Sequence, residues 1–303
     1  MDRRGGRATA LSARRSNVEA ILTCPSGTVR DRLWMWAHPA GSYDTARNPK
    51  EWPFSDYGFP STSRMTPAEG ALYLGVPNVV FVRYSGKPLP DGLEAVARTL
   101  HPFKRVVWSV NLAAGRDGPP LFTWSSADEE EHRVIRDLLK RHPNFTGLVM
   151  DDYFRSGGEK RTARGAAEVR AFKGTFGRAE FWDAIYAVDL QNTSPEHVAM
   201  VDVMTLWTRA ARDLVDLEAN LEKFSRMFPK TRLVLGCYLW DYLGEKRPIP
   251  IPLMKHQCET GLKWLKAERI EGLCFIASPM CDMGVEAVEW ARHWIQHVGD
   301  QRL

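Results

Sequence analysis

Short apolar runs alternate with amphipathic segments along most of the chain, and this alternation predicts its fold. Eight runs of four to nine residues are rich in β-branched and aromatic side chains. Runs of this kind are typical of strands that are buried on both faces of a parallel sheet. They span residues 32–38, 78–84, 105–111, 147–150, 181–188, 200–207, 232–240 and 270–277, of which the fifth and sixth are the least regular.

Helical segments follow most of these runs. Thr66, Pro67 and Glu69 form the pattern of a capping box with proline at the first helical position, and Gly75 ends the helix that follows. A second capping box is predicted at Ser126, at the start of a helix over 126–141. Further helices are predicted at about 91–100, 213–228, 252–268 and 285–298, and Ser194 and Pro195 are predicted to cap a short one.

Eight strands that alternate with helices predict a single-domain (β/α)8 TIM barrel. Parallel strands joined by crossover helices leave few other topologies. The length of 303 residues also suits this fold, which typically needs about 250 residues. An open, doubly wound sheet is the alternative if the fifth or sixth strand is not formed.

The net charge of +4 belongs to one end of the chain. Five arginines and one aspartate in the first 15 residues account for all of it, and the rest of the chain is neutral. We therefore interpret residues 1–27 as a disordered basic tail or a misassigned start, and residues 28–303 as the barrel. A neutral body argues against nucleic-acid binding, and no apolar run approaches the roughly 20 residues of a membrane span.

The numbers and spacings of cysteine and histidine narrow the possible location and metal chemistry of the protein. The five cysteines are odd in number and include no CxxC pair, and Cys237 and Cys274 lie within apolar runs, where buried thiols are expected. With no signal peptide evident, this favours a reducing, cytoplasmic location. The eight histidines are scattered without an HxH pair, so we expect a metal-independent protein with no cofactor. The sequence does not set the oligomeric state.

The fourth apolar run ends in two adjacent carboxylates, Asp151 and Asp152. Ionised carboxylates beside a core cost free energy unless they are paired or solvated. In parallel α/β folds the carboxyl ends of the strands are where active sites are built. We therefore predict that both are functional. The alternative is that one caps the next helix and the other is a solvated loop residue.

Other polar and aromatic residues map to the same end of the predicted barrel. Singly, each has a structural explanation, such as an ion pair for Arg83 or core packing for a tryptophan. Together they suit a sugar, whose apolar face stacks on aromatic rings while its hydroxyls bind carboxylates and amides. The candidate substrate-binding residues are His38, Arg83, Tyr84, Asn111, Tyr153, Trp207, Tyr238 and Trp240. The loops at 39–64 and 155–173 are expected to form walls over this site.

From residue 32 to its end, the chain resembles the TIM-barrel glycoside hydrolase superfamily and uncharacterised glycosidase-like barrels of bacteria. The segment from Gly147 to Asp152 is similar to the Asp-Asp strand end of β-N-acetylglucosaminidases and O-GlcNAcases that use substrate-assisted catalysis. The resemblance implies that Asp151 orients and polarises the 2-acetamido group of the substrate, and that Asp152 is the general acid/base. Neighbouring strand residues point to opposite faces, so a nucleophile supplied by the substrate fits this pair.

Two alternatives stay open. Asp152 could act as the acid with Asp241 as nucleophile or base; a separation of about 5 Å between the carboxyl groups would predict retention of configuration, and about 6.5–9.5 Å inversion. The second alternative is a carbohydrate-binding or inactive glycosidase-like barrel that carries out no catalysis.

Overall fold

The computed structural model describes residues 18–43, 57–83, 88–110, 126–151 and 166–303. Within these ranges, eight parallel strands form a closed barrel in sequence order. The strands are β1 (Leu33–Ala37), β2 (Asn78–Phe81), β3 (Arg105–Ser109), β4 (Phe145–Met150), β5 (Glu180–Tyr186), β6 (Val203–Trp207), β7 (Arg232–Tyr238) and β8 (Gly272–Ile276). The predicted (β/α)8 barrel is therefore confirmed.

Pairing between the first and last strands closes the barrel. β1 pairs in parallel with β8, with Leu33 opposite Leu273 and Trp36 opposite Ile276. The two least regular predicted strands are both present, because β5 and β6 pair from Trp182 opposite Val203 onward. A closed ladder of this kind excludes the open, doubly wound sheet.

A helix follows every strand. The helices are α1 (Pro67–Leu74), α2 (Leu93–Leu100), α3 (Ser126–Arg141), α4 (Ala166–Gly174), α5 (Pro195–Val198), α6 (Leu217–Met227), α7 (Ile251–Lys266) and α8 (Glu286–Val298). The helices predicted from 91 and 213 each begin with a 3₁₀ turn, at Pro90–Gly92 and Ala211–Asp216 respectively. None of the described helices is long and apolar enough to cross a membrane.

The capping box before α1 is confirmed. The backbone N–H of Glu69 donates to the Thr66 hydroxyl at 3.2 Å, and the Glu69 carboxylate accepts from the backbone N–H of Thr66 at 2.8 Å. These hydrogen bonds to Thr66 lower the pKa of Glu69. Gly75 follows the helix with φ of 88°, a left-handed conformation that favours glycine.

Several predicted strands are longer than the observed ones. β2 ends at Phe81 instead of residue 84, β7 ends at Tyr238 instead of 240, and β6 begins at Val203 instead of 200. Apolar residues continue past the ladder because they pack in the loops. Trp240, for example, pairs with Pro248 in an isolated bridge outside the barrel ladder.

Tryptophans fill much of the barrel interior. Trp34 and Trp182 approach across the barrel with ring centroids 4.8 Å apart, and Trp36 and Trp207 do so at 5.2 Å. Gly236 makes room for one of them, because a Cβ atom there would lie 2.1 Å from Cδ2 of Trp207. The interior is thus packed with side chains, and a ligand must bind above it.

The five cysteines are all buried free thiols, which confirms the prediction for Cys237 and Cys274. Burial raises the pKa of Cys274 and of Cys258, and Cys237 also raises that of Cys258.

Candidate functional site

Asp151 follows β4 directly and its side chain is exposed. Gly147 and Val149 precede Asp151 by four and two residues along this strand. Gly147 faces the barrel interior, because a Cβ atom there would lie 3.2 Å from Nε1 of the interior Trp182. Side chains alternate between faces along a strand. Asp151 therefore continues the inward-facing series and emerges at the carboxyl end of the barrel.

Four of the predicted site residues, Tyr84, Asn111, Asp152 and Tyr153, lie outside the described residues. Their assignments stay predictions. The other seven are described, and they divide into residues at the barrel mouth and residues with contacts elsewhere.

Aromatic side chains from the ends of β6 and β7 and from the loops after β1 and β7 form one group at this mouth, which we call the mouth cluster: Tyr43, Tyr57, Phe59, Trp207, Tyr238, Trp240 and Tyr242. In its lower part, Tyr238 lies with its ring centroid 5.2 Å from those of both Trp207 and Tyr242. Trp240 lies 5.2 Å from Phe59, and its indole N–H donates to the carbonyl of Tyr57 at 2.9 Å. The cluster therefore ties the loop after β7 to the loop after β1.

Tyr43 contacts two other members of the mouth cluster, Phe59 and Tyr242. Its ring stacks on Phe59 at 4.7 Å with an interplanar angle of 6°, and its hydroxyl lies 3.0 Å from that of Tyr242. Burial raises the pKa of Tyr43, and the nearby Tyr57 and Asp151 raise it further, against the hydrogen bond with Tyr242. The charge of Asp151 thus acts on Tyr43, which links this carboxylate to the cluster.

His38 lies beneath Tyr43 at the end of β1, with ring centroids 5.7 Å apart. It is buried, and its Nδ1 lies 3.2 Å from the carbonyl oxygen of Val82. The backbone N–H of His38 donates to Oγ of Ser278, which in turn donates to the carbonyl of His38. These contacts hold the imidazole at the carboxyl end of the barrel, as predicted from its position after the first strand.

Arg83 has its ion-pair partner in the helical layer. Its guanidinium forms a buried ion pair with the carboxylate of Glu131 on α3, and its backbone N–H donates to Oγ of Ser109 at 2.9 Å. These contacts favour a structural role, in which Arg83 joins β2 to α3. That Arg83 also binds substrate stays a prediction.

Asp241 is buried and holds two loops together. Its Oδ1 accepts hydrogen bonds from the backbone N–H groups of Ala211 and Gly244, both at 3.0 Å, and its Oδ2 accepts from Glu245 at 2.9 Å. A carboxylate engaged by three backbone donors has little capacity left to attack a sugar. The contacts favour a structural role, although the assignment of Asp241 as nucleophile or base stays a prediction.

Four members of the mouth cluster are not among the predicted site residues: Tyr43, Tyr57, Phe59 and Tyr242. Tyr43 and Phe59 belong to the loop at 39–64, which was expected to form a wall, and Tyr242 follows the strand-end residues Tyr238 and Trp240. The high aromatic content of that loop was the available signal. In the part of the chain that the structure describes, no group of three or more His, Cys, Asp or Glu residues could hold a metal ion.

No protein-family profile matches this sequence, and no curated relative matches it. Solved structures are similar in fold. Active domain 2 of a thermostable chitinase from Pyrococcus furiosus, complexed with chito-oligosaccharides, has a TM-score of 0.51 and 12% identity over 89% of this chain and 93% of that one. The GH99 endo-alpha-mannosidase from Bacteriodes thetaiotaomicron has a TM-score of 0.51 and 8% identity over 89% and 98%.

A 3-dehydroquinate dehydratase from Geobacillus kaustophilus is also similar, with a TM-score of 0.47 and 11% identity over 91% of this chain and 98% of that one. At such identities a structural similarity shows the fold alone, because one fold hosts many activities. The protein is a (β/α)8 barrel, a fold that it shares with glycoside hydrolases such as the chitinase and the mannosidase.

Proposed function

We propose that this protein is a glycoside hydrolase-like enzyme that cleaves a glycosidic bond at the carboxyl end of the barrel, with Asp151 and Asp152 as its central carboxylates. One observation carries the proposal. Asp151 emerges exposed from β4 at the end of the barrel where the mouth cluster lies. A carboxylate beside a group of aromatic rings is the combination that sugar binding and glycosidic cleavage need.

The roles of the two carboxylates follow from the resemblance at the end of β4. Asp152 is the general acid/base, and Asp151 orients and polarises a 2-acetamido group that attacks the anomeric carbon. This scheme needs only one protein carboxylate to transfer protons, and it leaves Asp241 with its three backbone hydrogen bonds. The barrel shared with a chitinase that was solved with chito-oligosaccharides is consistent with this substrate class.

The mouth cluster shapes the floor of the proposed site. Trp207, Tyr238 and Trp240 are only 2%, 6% and 3% exposed, so a sugar meets their edges instead of stacking on a full ring face. Tyr153, which follows the proposed catalytic pair in the sequence, is the residue on which we propose that a sugar ring stacks face-on. His38, Arg83, Tyr84 and Asn111 complete the proposed set of substrate-binding residues.

The test is turnover of aryl glycosides, including aryl β-N-acetylglucosaminide, by the wild type and three variants. Because general acid/base catalysis contributes about 10²–10⁴-fold, we expect Asp152→Asn to lower kcat by that order while sugar binding is retained. Asp151→Asn should lower kcat on acetamido sugars most. Asp216→Asn, the same change at an exposed residue before α6, should leave kcat unchanged.

The second candidate is a barrel that binds carbohydrate without cleaving it. The backbone contacts of Asp241 leave the Asp152 and Asp241 scheme without a free second carboxylate, so this candidate is the alternative to the substrate-assisted enzyme. A wild type that binds an oligosaccharide but turns over no aryl glycoside, with Asp152→Asn binding equally well, would support this candidate and contradict the enzyme.

A further inference from the structure

A groove lies at the opposite end of the barrel from Asp151. It runs between α3 and the turn that joins α4 to β5, beside Phe145 and Glu180, the first residues of β4 and β5. Its volume is about 630 Å³. Volumes of about 300–1,000 Å³ are typical of sites for small organic ligands.

The groove is positively charged. Among the described residues, Arg136, Lys140 and Arg178 line it together with one carboxylate, that of Glu180. That carboxylate is already engaged, because Oε1 accepts from Nη2 of Arg232 at 2.7 Å and Oε2 accepts from the indole N–H of Trp182 at 3.2 Å. The described side chains that line the groove therefore carry a net positive charge.

Among the residues that the structure describes, only one of the three cations contacts a carboxylate. Lys140 contacts Asp137 at 3.5 Å on the outer face of α3. Arg136 and Arg178, by contrast, form no ion pair with any carboxylate of the described ranges. Guanidinium groups present paired N–H donors that match the oxygens of a phosphate or carboxylate.

The floor of the groove is apolar but carries one polar group. The guanidinium carbon of Arg136 lies 5.7 Å from the centroid of the Phe176 ring, and Phe145 lines the floor beside it. Oγ1 of Thr146, which also lines the groove, is buried and has no hydrogen-bond partner in the described part of the chain. A buried hydroxyl without a partner is costly, so a ligand oxygen that accepts from Thr146 would stabilise this end of the barrel.

We propose that this groove binds a small organic phosphate monoester with an apolar ring. Two guanidinium groups and an ammonium group match a phosphate dianion, while the phenylalanine floor accommodates the ring. This site is independent of the glycosidase site, because the two lie at opposite ends of the barrel.

The experiment is isothermal titration at an ionic strength of about 0.15 M, where distant surface charges are screened, with phenyl phosphate as the probe and with phenol, benzoate and inorganic phosphate for comparison. We expect phenyl phosphate to bind more tightly than the other three. Loss of charge-assisted hydrogen bonds should weaken its binding at least about tenfold in the double variant Arg136→Gln, Arg178→Gln. The single variant Arg178→Gln removes an exposed side chain and should weaken binding without affecting folding.

The matched control is Lys230→Gln, which removes one exposed cation from the turn before β7 at the same end of the barrel. It should change the affinity for phenyl phosphate less than about twofold if the contacts are specific, since an exposed distant charge is screened by salt. An equal loss of affinity in this control would show that the cations act only by general electrostatic attraction, and it would overturn the proposal.

Other outcomes would also overturn it. Tighter binding of benzoate would assign the groove to carboxylates, and equal binding of inorganic phosphate would remove the role of the apolar floor. Undiminished binding of phenyl phosphate in the double variant would place the probe outside the groove. No measurable binding of phenyl phosphate by the wild type would end the proposal outright.

Discussion

Replacing Asp241 with asparagine separates a structural carboxylate from a catalytic one. The side chain joins the loop after β6, through the backbone N–H of Ala211, to the loop after β7, through those of Gly244 and Glu245. Asparagine has almost the same shape but only one acceptor oxygen. If that oxygen keeps the two bonds of Oδ1, the new NH₂ group faces the N–H of Glu245, and two donors oppose each other.

The size of the effect follows from these contacts. One charge-assisted hydrogen bond is lost, its partly buried donor, the N–H of Glu245, is left without that acceptor, and the other two bonds lose the negative charge of theirs. Hydrogen bonds to charged groups contribute about 1.5–3 kcal/mol, and the weakening of the other two bonds adds to the loss of this one, so we expect Asp241→Asn to lower the free energy of unfolding by about 2–4 kcal/mol. At about 2 °C per kcal/mol in a chain of this size, Tm should fall by roughly 4–8 °C.

The assay is thermal and urea denaturation followed by circular dichroism, with Asp216→Asn as the matched control. The control makes the same chemical change at an exposed residue, so its Tm should stay within about 1–2 °C of the wild type, as is usual for surface substitutions. An Asp241→Asn variant that keeps the wild-type Tm but loses turnover would refute the structural role and restore Asp241 as nucleophile or base.

Three further perturbations test the packing and electrostatics of the barrel. Gly236→Ala would force a Cβ atom against Trp207. Overpacking of this kind should lower the free energy of unfolding by about 1–3 kcal/mol and shift the tryptophan fluorescence. The control Gly174→Ala, at a position with open space around it, should change neither quantity. Glu131→Gln removes the negative member of a buried ion pair, which should cost about 3 kcal/mol in urea unfolding; a cost near zero would show that the pair is dispensable. Burial raises the pKa of Tyr43, so as the pH rises the phenol loses its proton in the unfolded protein before it does so in the folded one. The neutral phenol therefore makes its full contribution to the free energy of unfolding below about pH 10, and this contribution falls as the pH rises further. Tyr43→Phe should therefore lose less stability than the wild type between about pH 9 and pH 11 in urea unfolding, and parallel profiles would contradict the shift.

The barrel could be predicted from the sequence because its signals are local. Each strand is a compact apolar run, and the capping box at Thr66 and Glu69 lies within four consecutive residues, so no distant part of the chain is needed to interpret it. The positions of the strand ends were predicted less accurately. Trp240 continues the apolar pattern of β7, but its indole binds the carbonyl of Tyr57, which the local pattern does not reveal.

The candidate site could be predicted only in part, because its contacts join distant segments. The Tyr43 and Tyr242 hydroxyls meet across 199 residues of chain, and Asp241 binds the backbone 30 residues before it. Sequence position correctly placed His38 at the carboxyl end of the barrel. It could not show that Arg83 pairs with Glu131 on α3.

The central claim is that a sugar binds at the mouth of the barrel against the carboxylates that follow β4. The most direct measurement is a crystal structure of the Asp152→Asn variant soaked with the glycoside that the wild type cleaves. We expect density for the sugar above the mouth cluster, with a polar atom of the sugar within about 3.2 Å of the Asp151 carboxylate. Density only in the groove beside Arg136, or a sugar at the mouth that leaves Asp151 in water, would contradict the claim.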